Sequence, residues 1–329
     1  LLNHWWFCIA GIHAVWLALP DLVNGDAQND VREAVVTMNN PMYRPPAEAD
    51  SLILQVDEGC PHNRCTFCGM YRRMPYRRRD LETVRRMLEA LTRYEREATR
   101  VFLADGDVMM RPFGELRDLL LMLNVALPSL TRVSLYANGS SIAAKTDEQL
   151  QTLRGLKLHT LYLGLESGDD AVLDACRKGE TADGMVGAAV RAQAAGLRIS
   201  VMVLLGLGGR ARSGEHARRT AAALNRMQPR LFSALRVVPV DGTALYDMAR
   251  SGGFEVLSEQ EIVQELRELI AGLDLRKCVF RANHGSNVVP LEGRLPQDRA
   301  RLLATLDALL QSDALDRRPP ALLSGPQYL

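Results

Sequence analysis

The chain has 329 residues, enough for one large domain with appendages or for two domains. Apolar residues make up 47% of it, and 40 basic residues stand against 39 acidic ones. A sizeable core is therefore expected, and the near-neutral balance argues against a broad nucleic-acid surface.

In chain order, residues 1–24, "LLNHWWFCIAGIHAVWLALPDLVN", come first; they are apolar and hold all three tryptophans and no Lys or Arg. A signal peptide normally carries a positive start, and a membrane span needs about 20 predominantly apolar residues. Asn3, His4, His13 and Pro20 interrupt this run. A peripheral helix, a leader or a weak anchor all remain open, and membrane association is expected only if residues 1–24 anchor. Residues 1–37 are expected to lie outside the core, with Met38 a natural start for the globular part.

A strand is predicted at "SLILQVDEG" (51–59) and a helix at about 80–98, preceded by the Arg-rich run "RRMPYRRRD" (72–80). That run reads as a solvated face or as a site for an anionic substrate or RNA. Strands follow at 99–107, 131–140, 158–168, 197–209 and 231–240. Helices at 113–127, 146–156, 182–195 and 214–227 separate them. The strands are continuous apolar runs, as in parallel sheets covered on both faces. Six such units predict an α/β fold, a partial (β/α)6 TIM-like barrel, at residues 38–250. Residues 251–329 are expected to form a helical C-terminal extension, with helices at 258–273 and 296–310 around the loop "RANHGSNVVP".

Polar and glycine residues fall where the strands of such a barrel end. Asp105, Gly106 and Asp107 follow the second strand, Asn138 the third, Glu166 the fourth, and Gly206 and Gly208 the fifth. After the first strand comes "DEGCPHNRCTFCGMY", with Cys60, Cys65 and Cys68. The other cysteines, Cys8, Cys176 and Cys278, are scattered, so the set is no disulfide framework and points to metal or redox chemistry. Three thiolates can hold three irons of a [4Fe–4S] cube and leave the fourth open to a small molecule. The alternative is a structural zinc with His62 as fourth ligand, although such sites usually draw on two separated pairs.

Residues 43–303 resemble the radical S-adenosylmethionine (AdoMet) superfamily. "GCPHNRCTFCGMY" resembles its cluster loop, with Phe67 as the aromatic before the last cysteine. "LADGD", "LGLESGDDAVLDACRKGET", "VMVLLGLGG" and "VVPVDGTAL" are similar to its later strand-end segments, in the branch of the coproporphyrinogen oxidases and the Elp3/MiaB/NifB-like domains. "FRANHGSNVVPLEGRLPQDRARLL" resembles a C-terminal signature of one subgroup. The Cys-x4-Cys-x2-Cys spacing departs from the usual Cys-x3-Cys-x2-Cys, which puts detailed loop geometry outside the resemblance.

The resemblance implies a [4Fe–4S] cluster on Cys60, Cys65 and Cys68 whose open iron is chelated by AdoMet. Reductive cleavage then yields methionine and a 5′-deoxyadenosyl radical that abstracts hydrogen from a small-molecule substrate. It implies an electron donor such as a flavodoxin or ferredoxin, and a cytoplasmic enzyme. By the same analogy Asp105 and Asp107 hold the AdoMet ammonium, and Gly106 gives close backbone approach. Asn138 is a further cofactor contact, Glu166 bonds the ribose hydroxyls or amino group, Arg198 pairs with the carboxylate, and Gly206 and Gly208 pack on adenine. Cys278, His284 and Tyr136 are the candidates for a catalytic residue, Cys278 as a hydrogen donor to a substrate radical and His284 as a substrate contact. Two other functions stay open: a non-catalytic iron–sulfur or tetrapyrrole chaperone on this fold, and a tRNA-modifying enzyme. The second would need a basic RNA-binding appendage, and none is clear.

Overall fold

The computed structural model describes residues 42–317 apart from Arg73, together with residue 320. The apolar run at 1–37 and the expected start at Met38 lie outside the described residues. The first strand, β1 (Leu52–Gln55), follows a single 3-10 turn at Pro46–Glu48. A two-residue ribbon, β2 (Asp57–Glu58) with β3 (Arg77–Arg78), brackets the cysteine loop. Then come α1 (Leu81–Glu89), β4 (Arg100–Ala104), α2 (Phe113–Ala126), β5 (Arg132–Ala137), α3 (Gly139–Ala143) and α4 (Asp147–Gly155). β6 (Leu158–Glu166), α5 (Asp170–Ala175), α6 (Ala182–Ala194), β7 (Arg198–Leu205), α7 (Gly209–Met227) and β8 (Leu231–Arg236) complete six parallel strands.

These six units match the expected ones, but the first helix is shorter than predicted. It ends at Glu89 because the Arg96 side chain donates to the carbonyls of Glu89 and Leu91. A bonded terminus replaces the next helical turn.

The sheet also continues past β8. After α8 (Ala244–Arg250) and α9 (Glu259–Ala271), β9 (Cys278–Ala282) joins β8 in parallel. β10 (Leu291–Leu295) then pairs with β9 in antiparallel register, and α10 (Arg299–Gln311) follows. The C-terminal segment expected to be helical thus supplies two strands of an eight-stranded sheet. Both strands alternate buried and accessible residues and carry Arg281, Glu292 and Arg294, so neither reads as a continuous apolar run. Among the described residues β1 and β10 do not pair, and the barrel is open between them.

One face of the sheet packs on the helices. Leu103, Leu135, Leu161, Val201, Phe232 and Phe280 belong to that main core. The other face lines the lumen, where Phe102, Tyr136 and Tyr162 meet edge to face, with Ile53, Met202 and Leu231 beside them. Glu48, from the 3-10 turn, closes the N-terminal end: it is buried and accepts from Tyr162 Oη at 2.7 Å and Ser51 Oγ at 2.5 Å. Among the described residues no helix is long and apolar enough to cross a membrane.

Candidate active site

The cysteine loop leaves β1 and is pinned from several sides. Asp105, just past β4, accepts from Gln55 Nε2 at 2.8 Å and from Gly59 N at 3.1 Å. The Gly106 N–H donates to Gly59 O at 3.0 Å. Gly106 must be glycine for space: an added Cβ would meet Cys60 Cβ at 2.7 Å and Cys60 Sγ at 3.1 Å. Further along, Thr66 N donates to Cys176 O and Leu245 N to Thr66 O, each at 2.9 Å. Phe67 packs on the apolar cluster of Val172, Cys176, Leu207, Val237 and Leu245.

Below the loop, Arg111 is wholly buried and donates to Asp57 Oδ1 at 2.7 and 3.0 Å, to Val56 O at 2.6 Å and to Arg79 O at 2.7 Å. No sequence motif marks this arginine. Its fork ties the root of the loop to its return strand.

The three thiols are half-buried and unbonded to one another. Burial pushes the Cys65 thiol up to about 12, against the pull of Lys178, and raises Cys68 too. Thiolates so desolvated need a cationic partner, and metal coordination supplies one. Among the described residues no three His, Cys, Asp or Glu side chains converge on a single ion. His62, the fourth ligand in the zinc alternative, bonds Arg177 O at 2.7 Å. A cube takes its thiolates on separate irons, so its three cysteines need not converge on one ion.

Asp107 lies at the same rim, 1% exposed. Ser141 Oγ donates to its Oδ1 at 2.8 Å and Asn138 Nδ2 to its Oδ2 at 3.1 Å. Asn138 is held in turn as the cap of α3. Burial pushes Asp107 up to about 6 despite these bonds, and does the same to Asp105. Asp105 Oδ1 is buried without a partner. Beside Asp107 is a cavity of ≈ 120 Å³, bordered by His62, Arg64, Asn138, Lys178 and Glu180.

Glu166 ends β6 with φ of 59°, and its Oε1 accepts from Lys178 Nζ at 3.1 Å. Burial opposes the charge on Lys178, but Glu166 and Cys65 outweigh it and raise its pKa. Lys178 follows α5 in a turn and was not singled out from the sequence, where "CRKGE" has no spacing that marks a ligand.

Gly206, with φ of 81°, ends β7, and Gly208 leads into α7. The Gly206 N–H donates to Glu265 Oε1 of α9 at 2.6 Å. Glu265 also accepts from Ser213 Oγ at 2.5 Å and lies 3.6 Å from His216, whose Nδ1 meets Ser167 Oγ at 2.7 Å. Burial lifts Glu265 to about 7 and lowers His216 to about 4. This knot fixes the ends of β6 and β7 relative to each other.

Two expected residues are placed away from the rim, Arg198 and Cys278. Arg198 is the first residue of β7 and exposed, at the end of the sheet away from the rim. Eight residues at about 3.3 Å each separate it from the site. Cys278 begins β9, buried among the helix-facing core rather than in the lumen. Tyr136 does line the lumen, at its aromatic floor. His284 lies in the loop after β9 and bonds Ser286 Oγ at 2.9 Å.

Residues 54–219 match the model of the radical SAM superfamily. The fold is similar to that of coproporphyrinogen III oxidase (HemN) from Escherichia coli, at 14% identity and a TM-score of 0.52, over 67% of this chain and 51% of that one. Methylornithine synthase (PylB) aligns at 17% identity and a TM-score of 0.49, over 85% of this chain and 92% of the other. The archaeal Elp3 of Methanocaldococcus infernus aligns at 14% identity and a TM-score of 0.45, over 72% and 60%. No curated protein sequence is significantly similar to the chain. With the family match covering half its length, on a partial barrel that carries a three-cysteine loop at its rim, the chain belongs to the radical SAM superfamily, whose enzymes use a [4Fe–4S] cluster and S-adenosylmethionine.

Proposed function

We propose that Cys60, Cys65 and Cys68 hold three irons of the cluster and that the rim beside them binds AdoMet for hydrogen abstraction from a small molecule. The observation that carries this reading is the seating of Cys60 on Gly106, one residue from the buried carboxylate of Asp107. Bound there, the cluster and AdoMet supply a 5′-deoxyadenosyl radical, with electrons from a donor such as a flavodoxin or ferredoxin.

The chain's own residues bind and orient. Asp107, fixed by Ser141 and Asn138, accepts the AdoMet ammonium. Lys178 takes the part expected of Arg198: its ammonium has three donors, and Glu166 uses one. It can thus face the AdoMet carboxylate as a charge-assisted donor. The second oxygen of Glu166 is left for a ribose hydroxyl. Gly206 and Gly208 bring bare backbone to the adenine edge.

Anaerobic reconstitution is expected to load about four irons per chain. After dithionite reduction, the protein releases 5′-deoxyadenosine and methionine. The triple Cys→Ala protein loses both iron and product. A wild-type protein that takes one zinc and no iron sinks the proposal, and one that binds iron without cleaving AdoMet points to the chaperone reading.

A further inference from the structure

We infer that the lumen binds a small organic acid, with Arg281 taking its single carboxylate. This rests on the radical chemistry proposed above and names the substrate class for the same site. The direction of Arg281 follows from register. Cys278, Phe280 and Ala282 of β9 are buried in the core beneath the helices, so Val279 and Arg281 point to the opposite face. Val279 is in register with Leu231, a lumen residue, and Arg281 with Ser233.

The layer at that height runs Gly164, Met202, Ser233, Arg281 across four neighbouring strands. At its other end, a Cβ on Gly164 would meet Lys178 Nζ at 3.1 Å, so this layer lies directly against the Glu166–Lys178 pair. Three strand spacings separate Gly164 from Arg281, roughly 14 Å along the curved sheet at ~4.8 Å each. A small molecule spans that gap.

Arg281 is partly buried and has no hydrogen-bond or ion-pair partner among the described residues. Glu292, its neighbour in register on β10, is exposed and accepts from Asn283 at 3.4 Å instead. A guanidinium held in a partly dry wall without an anion is costly unless a ligand supplies one. A second, independent observation points to a polar ligand in the same lumen. Ser200 lies one layer lower, in register between Tyr162 and Leu231; it is 2% exposed and its hydroxyl has no partner.

Much of the lining is apolar or aromatic: Tyr136, Tyr162, Met202, Leu231 and Val279, the last 39% exposed. On this wall Arg281 and, from β10, Arg294 stand against Glu292, a net of one positive charge that balances one negative charge. A phosphate monoester brings nearly two, so a monocarboxylate with an apolar body fits better.

The test uses the reconstituted full chain with AdoMet. Phenylacetate, hexanoate and leucine are each compared with their primary amides, and phenyl phosphate forms a separate arm. Binding is read by calorimetry, and deoxyadenosine release after reduction in parallel. At least one acid is expected to bind and to raise release, at least tenfold more effectively than its amide. Arg281→Gln weakens binding of that acid at least tenfold at unchanged iron content, and Arg281→Lys recovers part of it. Arg218→Gln, exposed on α7 and away from the lumen, responds as wild type.

The inference is overturned if acids and amides act alike, if no acid binds, if phenyl phosphate binds better than the acids, or if Arg281→Gln responds like wild type. Equal losses in Arg218→Gln also overturn it, by reducing the effect to general charge. Absence of deoxyadenosine in every arm, with acid binding intact, strikes the radical-chemistry reading and leaves the carboxylate site standing.

Discussion

Asp107 combines two demands that pull against each other. Its carboxyl titrates near 6 in the fold, because burial penalises the anion more than Ser141 and Asn138 stabilise it. An unperturbed aspartate titrates near ~3.9. Between those values the folded chain holds a proton that the unfolded chain has released. The associated stability is full below about 4 and is lost as pH rises through about 6. In the cofactor-free protein, Asp107→Asn is therefore expected to change little near pH ~4. By neutrality it should add on the order of 1–2 kcal/mol, as two pKa units allow at most about 2.7 and Asn138 must turn its amide. The same substitution weakens AdoMet binding at least tenfold at neutral pH, and wild-type affinity rises as pH passes through about 6, where the anion forms. Urea melts and AdoMet titrations across pH check both halves. A variant that binds AdoMet normally while gaining no stability removes Asp107 from the site.

Single residues also show where the sequence could and could not be read. The cysteines, Asp107, Asn138 and Glu166 are local in sequence to strand ends, and strand ends were readable. Arg198 is early in its strand, as the sequence shows, and that place sets it away from the rim where the resemblance gave it a role. Lys178 depends on where the chain after α5 meets the end of β6, and Arg281 on register across strands, which no local pattern encodes.

Among the elements, the cysteine loop hangs from β1, which has a partner strand on one side only. It is held by contacts beyond the sheet, and Arg111 anchors its root by joining Asp57, Val56 and Arg79. Arg111→Met leaves the Asp57 carboxylate buried without its cation, a loss of about 3–5 kcal/mol by analogy with broken buried pairs. Arg111→Lys keeps the charge but not the planar fork, and falls between. Urea midpoints and iron content after reconstitution are expected to fall together in the order wild type, Lys, Met. Iron loading that stays complete in the Met protein would show that the loop needs no such anchor.

The parallel strands themselves were legible, because each is a continuous apolar run closed by a turn. β9 and β10 were not: with one face on the core and the other in the lumen, they alternate and carry charges at three of their ten positions. Their pattern is that of half-exposed strands, which short helices and loops also mimic.

For the whole molecule, the open sheet has a mechanical consequence. In a closed barrel every strand is gripped from two sides, so no place is first to give. Here the grip is graded. β6 and β7 lie mid-sheet with long ladders, whereas β1 is held by four register pairs to β4, and β10 by β9 alone. Amide exchange is therefore expected to be slowest in β6 and β7, approaching the global unfolding limit, and fastest among the strands in β1 and β10. Cluster loading should then slow exchange in β1 far more than in β10, because the thiol loop is rooted in β1. Uniform protection across all eight strands would mean that the seam is sealed in solution. A graded pattern makes metal loading the event that stiffens one lip of the seam and leaves the other able to part, so that entry from the side is set by β10 rather than by the mouth of the barrel.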